Sequence, residues 1–421
     1  MPYSIAIAGC GVAGLTAGLA LVRSGHRVTL FEQSTQIGPV GAGVLLQPSG
    51  QLVLAELGLL EQVIGHAEPI ERLSARTHRG HTLIDLPYRH RATEPCAYGL
   101  HRGDLFAALH TAVVEAGASI VLAAPIHRFA EDVNHVELFD SSGATRGTFD
   151  LLLAADGSRS ILRDASKLSM TKYAYPHGAL WTVGRSDAVR GKLLQASRGS
   201  RQLAGFLPLG EGRCSLFWSL ECRQFDALHA AGLEAWKQDV LRLMPEAGEM
   251  LSQIESFDQT RFTTYLHVMM RRWHTSRMVL LGDAAHSMSP HLGQGINLAL
   301  LDGLTVAGAL NTMRSLSEAF ELHSQLRRAH VRFYSMMTFA LSPFFQSRGF
   351  LKGLARDLEL PILPRIPILR GQMVLTMSGM KRSMFGGRLT LPSILKSPNQ
   401  AGSRSRRQAA RQTSDVPTDP V

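Results

Sequence analysis

The sequence predicts an α/β fold in three parts: a discontinuous domain built on parallel strands, an inserted antiparallel sheet, and a helical C-terminal region. Three observations predict it. A strand, glycine turn, helix and second strand open the chain. Short alternating strands fill residues 173–268. A second apolar strand, "RMVLLGD", then returns the chain to the first domain ahead of a mainly helical stretch. With 421 residues, 45% hydrophobic, the chain is long enough for two or three ordinary globular domains.

In chain order, Ile5 to Ala8 reads as a strand, Ala13 to Ser24 as a helix of small and aliphatic residues, and Arg27 to Phe31 as a strand. Together they make a βαβ opening. Residues 98–117 read as a helix ended by Gly117. "HVELFD", "SSG" and "GTFDLLLAADG" read as a hairpin that hands the chain to a central apolar strand. "GALWTVGR", "QLAGFLPLG" and "RCSLFWSLE" alternate as antiparallel strands, followed by the helix "GLEAWKQDVLRLM". "INLALLDGLTVAGAL" returns to helix, and residues 321–395 stay mainly helical apart from "LPILPRIP". The expected division is therefore 1–172 with 269–325, 173–268, and 326–396, with 76–97 open to either of the first two. A polar tail, 397–421, is expected to be disordered.

Charge is unevenly placed. Residues 327–421 hold 16 Lys/Arg and 4 Asp/Glu, a net +12, which leaves residues 1–326 at −2. The basic segment 327–356 interleaves Phe, Met and Leu, a pattern that admits peripheral contact with an anionic membrane surface. A packed helical layer with a solvated basic face is the reading we favour. The basic residues sit on no recognisable nucleic-acid fold, so nucleic acid is not an expected partner. Four cysteines without CxxC or metal-ligand spacing, no basic leader and no long apolar run point to a reduced, cytoplasmic setting without a metal site.

The chemistry concentrates in two glycine-rich places. Gly9, Gly11 and Gly14 form GxGxxG between the first strand and helix, and Glu32 closes the second strand. Gly9 serves the tight turn, Gly11 admits a pyrophosphate to the backbone, Gly14 allows close helix packing, and Glu32 accepts from ribose hydroxyls. This is a Rossmann-like dinucleotide site, and the motif alone does not choose between NAD and FAD. The stretch "LLGDAAHSMSPHLGQGINLALLDG" makes the choice. Asp283 ends a strand of the same sheet, where a second diol can sit, and a helix begins near Gly295, Ile296 and Asn297. Its free N–H groups and dipole suit the charge that a reduced flavin carries near N1 and C2=O. So many small residues fit a flat ring lying against backbone.

With "AADGSRSILRD" added, these motifs resemble the FAD-dependent aromatic hydroxylases, the single-component flavoprotein monooxygenases similar to para-hydroxybenzoate, salicylate and ubiquinone-pathway hydroxylases. The resemblance covers roughly residues 3–325. It implies that Gly9, Gly11, Ala13 and Gly14 hold the pyrophosphate, Glu32 the adenosine ribose, Arg102 the phosphate-ribose region, Ile126 the adenine and Asp283 the ribityl chain. Pro290, Gly293, Gly295, Ile296 and Asn297 would bed the isoalloxazine. Asp156 and Arg159 would support both FAD and the passing nicotinamide cofactor, NADH or NADPH. It also implies hydride transfer to flavin, O2 addition at C4a, and oxygen transfer from the hydroperoxide to an aromatic or quinone-like small molecule.

The substrate cavity is expected between the flavin loop and the 173–268 sheet. Trp181, Phe206, Phe217 and Trp218 are wall candidates, with Phe217 and Trp218 on opposite faces by strand alternation. Tyr175, His177 and His291 are candidates for a base toward a phenolic substrate. Two other functions compete: a flavin-dependent reductase of a lipophilic prenyl or polyketide-like substrate, and a non-catalytic flavin-binding partner protein.

Overall fold

The computed structural model describes residues 2–36, 42–89, 94–347 and 349–389. Its first domain is a five-stranded parallel sheet in the order Met278–Leu280, Leu151–Ala154, Ser4–Ala8, Arg27–Phe31, Ser119–Val121. Leu151–Ala154 is buried throughout, as the uninterrupted "LLLA" demands of a strand covered on both faces. On one face Ile5, Ile7, Leu153 and Val279 pack with the helices Val12–Arg23 and Gly295–Thr312. A Cβ at Gly303 would stand 2.8 Å from Ala17 N and 2.9 Å from Ala13 O, so these helices touch backbone to backbone. The other face packs Ala6, Ala8, Leu152 and Leu280 against Ile126, Val136 and Leu138.

The second sheet has seven strands in the order Arg261–Met270, Met170–Arg185, Arg213–Glu221, Gln202–Gly210, Lys192–Arg198, Arg72–Thr77, Thr82–Pro87. All neighbours run antiparallel except Lys192–Arg198 beside Arg72–Thr77, which is parallel. Residues 72–87 thus join this sheet. Its Arg72–Asp85 pair stands on the water side, which hides the strands from a search for apolar runs. One face is covered by the helices Phe225–Ala231, Leu233–Leu243 and Gly248–Ser252. The other meets a small sheet of Gly43–Leu46, Ala97–His101 and Glu68–Ile70. A Cβ at Gly43 would stand 2.5 Å from Leu209 and 2.6 Å from Ser215, so the two sheets approach through a missing side chain.

Residues 98–101 correct the sequence reading: they are strand, and the helix runs Arg102–Glu115. They pair antiparallel with Gly43–Leu46 and Glu68–Ile70, and tertiary pairing of this kind overrides local helix preference. A Cβ at Gly99 would fall 2.1 Å from Pro208 O of the second sheet. His101 then caps the helix, its Nδ1 accepting from Gly103 N–H at 3.2 Å. Beyond the first domain come the helices Leu316–Phe345, Phe350–Glu359 and Pro367–Met377. The first starts on a capping box of Ser315 and Glu318. The tail 397–421 lies outside the described residues. Among the described residues, no helix is long and apolar enough to cross a membrane.

Candidate active site

The glycine turn meets the steric demands read from its sequence. Gly9 has φ +102°, and a Cβ there would stand 2.4 Å from Ala155 O. A Cβ on Gly14 would fall 2.1 Å from Gly9 O, so the helix begins in contact with the turn. Gly11 differs: among the described residues, nothing lies within 4 Å of its Cβ position. An open backbone at the head of a helix is what an approaching phosphate needs. Glu32 ties the walls of this cleft together, accepting from Cys10 N–H at 2.9 Å and Ser34 N–H at 3.0 Å. Ala13 and Ile126 are buried, Ile126 in one cluster with Phe31 and Ala8.

The second glycine-rich place is built by a buried carboxylate. Gly282 takes φ 58°, ψ −137°, and its N–H donates to Asp302 Oδ2 at 2.9 Å. Asp302, 1% exposed, also accepts from His286 Nε2 at 2.6 Å and from Arg327 Nε at 2.7 Å. Burial opposes its ionisation, but His286 and Arg327 hold it far below the usual carboxylate range. Asp283, next in the chain, is exposed, and the charges of His286 and Arg102 act on its carboxylate. Arg102, exposed at the first turn of its helix, faces the same place.

Gly293 is left-handed at φ +59°, and the helix starts at Gly295, which is exposed with no atom within 4 Å of its Cβ position. Pro290 is exposed and Ile296 half-buried. Asn297 is fully buried and its amide is already spent: Oδ1 accepts from Gln47 N–H at 2.9 Å, and Nδ2 donates to Leu45 O and Gly293 O, each at 3.1 Å. It clamps the helix start to the strand Gly43–Leu46. Nearby, Gln47 Oε1 and Gln294 Oε1 are buried without a hydrogen-bond partner among the described residues. Open glycines, a helix N-terminus, orphan acceptors and an exposed carboxylate along the strand ends fit an elongated dinucleotide that ends in a flat ring.

The family model described as "FAD binding domain" matches residues 2–319. The chain belongs to the FAD-dependent aromatic hydroxylases. This FAD-dependent monooxygenase, which takes NAD(P)H as co-substrate, is 29% identical over 333 residues to the probable 2-heptyl-3-hydroxy-4(1H)-quinolone synthase AqdB2 of Rhodococcus erythropolis, covering 76% of this chain and 83% of that one. It is also 29% identical to the aurachin C monooxygenase/isomerase of Stigmatella aurantiaca, covering 77% and 85%. The fold matches HpxO of Klebsiella pneumoniae, solved with FAD and uric acid, at a TM-score of 0.74 and 21% identity over 91% of this hydroxylase and 98% of that chain.

The DG segment separates into two parts. Asp156 accepts from Leu162 N–H at 3.2 Å, and its Cα lies 3.2 Å from where a Gly9 Cβ would be. Arg159 points away, its Nη2 donating to Thr264 Oγ1 of the second sheet at 3.0 Å. The buried arginine of this segment is Arg163, donating to Ser158 O at 3.1 Å and Ala284 O at 3.2 Å. The sequence reading missed Arg163, and it missed Asp302 and Arg327. Asp302 did carry a signal, because a lone carboxylate inside "LALLDGLTVAG" must find a cation.

Of the wall candidates, Phe206 and Trp218 turn into the core under Leu233–Leu243. Trp181 and Phe217 turn the other way, with ring centroids 5.3 Å apart. Alternation decides this, and it removes Phe206 and Trp218 from the wall.

Tyr175, His177 and His291 share one region. Tyr175 Oη stands 3.2 Å from His267 Nδ1, and the charge of His177 acts on His291. Ser289 Oγ stands 2.7 Å from His291 Nδ1, and Ser342 Oγ, which donates to Thr338 O at 2.8 Å, stands 3.1 Å from Ser289 Oγ and 3.4 Å from His291 Nδ1. The other ring nitrogen, Nε2, is buried without a hydrogen-bond partner among the described residues. Burial pushes this imidazole down to about 4, so it is neutral at working pH.

Two further buried histidines set an acid limit on stability. Burial pushes His323 down to about 4, and burial with the neighbouring Arg327 charge pushes His330 down to about 3, from an ordinary 6.5. Below 6.5 the unfolded chain binds protons that the native chain refuses, so stability is full above that value and falls as pH drops toward 4. Each histidine contributes a slope of about 1.4 kcal/mol per pH unit in this window. Melting temperature should fall between pH 7 and pH 5, and less steeply for His323→Leu; a flat or rising trend would contradict the assignment.

Proposed function

We propose that this hydroxylase adds one oxygen atom to an aromatic or heteroaromatic ring that carries a hydrogen-bond donor, a phenol or an enolised quinolone, on the His291 side of the flavin. When bound and reduced by NAD(P)H, FAD supplies the activation of O2. The chain's residues then bind, orient and keep water out. Gly9, Gly11, Ala13 and Gly14 hold the pyrophosphate, Glu32 the adenosine ribose, Ile126 the adenine, and Asp283 with Arg102 the ribityl-phosphate portion. Pro290, Gly293 and the helix start at Gly295 and Ile296 present backbone to the ring, while Asn297 fixes their position. Asp156 braces the pyrophosphate turn, and Arg159, at the seam with the second sheet, meets the nicotinamide cofactor. In this reading residues 1–172 and 269–325 hold FAD and residues 173–268 cover the substrate.

The single observation that carries the substrate reading is the orphan Nε2 of His291. We assign the proton to Nδ1, toward Ser289, which leaves Nε2 a neutral acceptor that selects a donor, and a ligand without one leaves it buried and unpaired, at a cost of about 1–3 kcal/mol. Relatives named for hydroxyquinolone and aurachin chemistry support such a substrate. The test compares a phenol or quinolone with its O-methyl ether. The native enzyme should prefer the hydroxyl compound roughly ten- to hundredfold in kcat/KM, and His291→Phe should erase that preference while keeping FAD. Equal preference in both proteins would overturn the role.

A further inference from the structure

The C-terminal helix Phe350–Glu359 is amphipathic in the wrong sense for water. Its inner side is polar and small: Arg356, 2% exposed, donates to Gly199 O at 3.0 Å and Phe344 O at 3.3 Å, and a Cβ on Gly353 would lie 3.0 Å from Ser200 N. Its outer side is leucine. Leu351, Leu354 and Leu358 follow helical spacing and stand 76%, 46% and 63% exposed. The stripe runs on through Ile362, Ile366 and Ile368, the last 76% exposed. Exposed apolar patches of this extent mark a contact surface.

Charge identifies what the surface meets. Lys352, Arg365 and Arg370 are exposed around the stripe, against one exposed acid, Glu359, since Asp357 is paired with Arg356. The sequence from 390 onward adds five Lys/Arg and two Asp/Glu. A two-fold contact with a second copy would bring like cations together. Apolar residues ringed by cations instead suit an anionic lipid surface, where the leucines enter the acyl boundary and the cations meet headgroups.

We propose that the surface of Phe350–Glu359 and the following residues through Ile368 docks this enzyme on anionic membrane. The inner side of the same C-terminal layer closes the site's flank. Val374 and Met377, on the helix Pro367–Met377, pack in one cluster with Leu45, Leu207 and Tyr88. Docking therefore sets the flavin flank next to the lipid, where an alkylated aromatic substrate dissolves. That last step rests on the function proposed above; the docking itself does not.

The experiment is co-sedimentation of the full-length, FAD-loaded protein with vesicles of phosphatidylcholine alone and with phosphatidylglycerol added. The native chain should pellet with the anionic vesicles. Leu351→Ser with Leu358→Ser and Ile368→Ser should lower the bound fraction at least about tenfold, with melting temperature and FAD content unchanged because these mostly exposed side chains belong to none of the buried clusters. Lys352→Gln with Arg365→Gln and Arg370→Gln should weaken binding to anionic vesicles only. Docking is overturned if the native chain pellets with neither vesicle, if the serine variant binds equally, or if the native chain is a dimer that the serine variant turns into monomer. NAD(P)H oxidation with a water-soluble phenol, measured on the same samples, reports separately on the catalytic reading.

Discussion

Asp302→Ala should lose both its FAD and much of its stability. The carboxylate satisfies three donors at once, the Gly282 N–H, His286 and Arg327. Without it, a buried guanidinium and a buried imidazole lose their partner. Breaking a buried pair from one side costs about 3–5 kcal/mol, a large share of an ordinary domain's stability. The expected fall in melting temperature is roughly 5–15 °C. The cofactor goes with it because Gly282 is no longer held in the conformation that presents Asp283. Asp302→Asn keeps an acceptor on one side only, for Arg327 or for Gly282 and His286 together, and turns its amide N–H against the other, so it should be only slightly milder. Adding Arg327→Met to Asp302→Ala removes the stranded charge and should recover part of the loss. A stable, yellow Asp302→Ala protein would show that the network does not support the cofactor loop.

Two glycines three residues apart should fail in opposite ways. Gly14→Ala places a methyl 2.1 Å from Gly9 O, where only backbone can move, so the fold itself should suffer by several kcal/mol. Gly11→Ala meets nothing within 4 Å at φ −74°, so the apo protein should melt within about 1 °C of native. Its methyl instead occupies the approach of the pyrophosphate, and FAD affinity should fall at least tenfold. FAD titration followed by flavin fluorescence, alongside apo-protein melting, separates the two. Equal FAD affinity in native and Gly11→Ala protein would move the pyrophosphate away from this turn.

The parallel sheet was legible because buried strands write themselves as apolar runs such as "IAIA" and "LLLA", and because the glycine turn carries steric demands met at Gly9 and Gly14. The strand at residues 98–101 was not legible. Its sequence continues smoothly into a helix, and what makes it a strand is pairing with two earlier segments, Gly43–Leu46 and Glu68–Ile70. Residues 72–87 were hidden by polar side chains on their outer face. For the site, the sequence offers candidates only where backbone or a motif carries the role, whereas Arg163 and Arg327 work through partners that only the fold brings near. The surroundings of His291 lie deeper still, since Ser342, 51 residues further along the chain, stands beside its Nδ1.

The most direct measurement mixes the purified, FAD-loaded enzyme with NAD(P)H, isotopically labelled O2 and a panel of phenols and alkylated quinolones, and weighs the products. The account predicts that one member of the panel speeds NAD(P)H oxidation and gains a single labelled oxygen atom on its ring. Reduction of a panel member without label, or a protein that takes up no FAD, would contradict it.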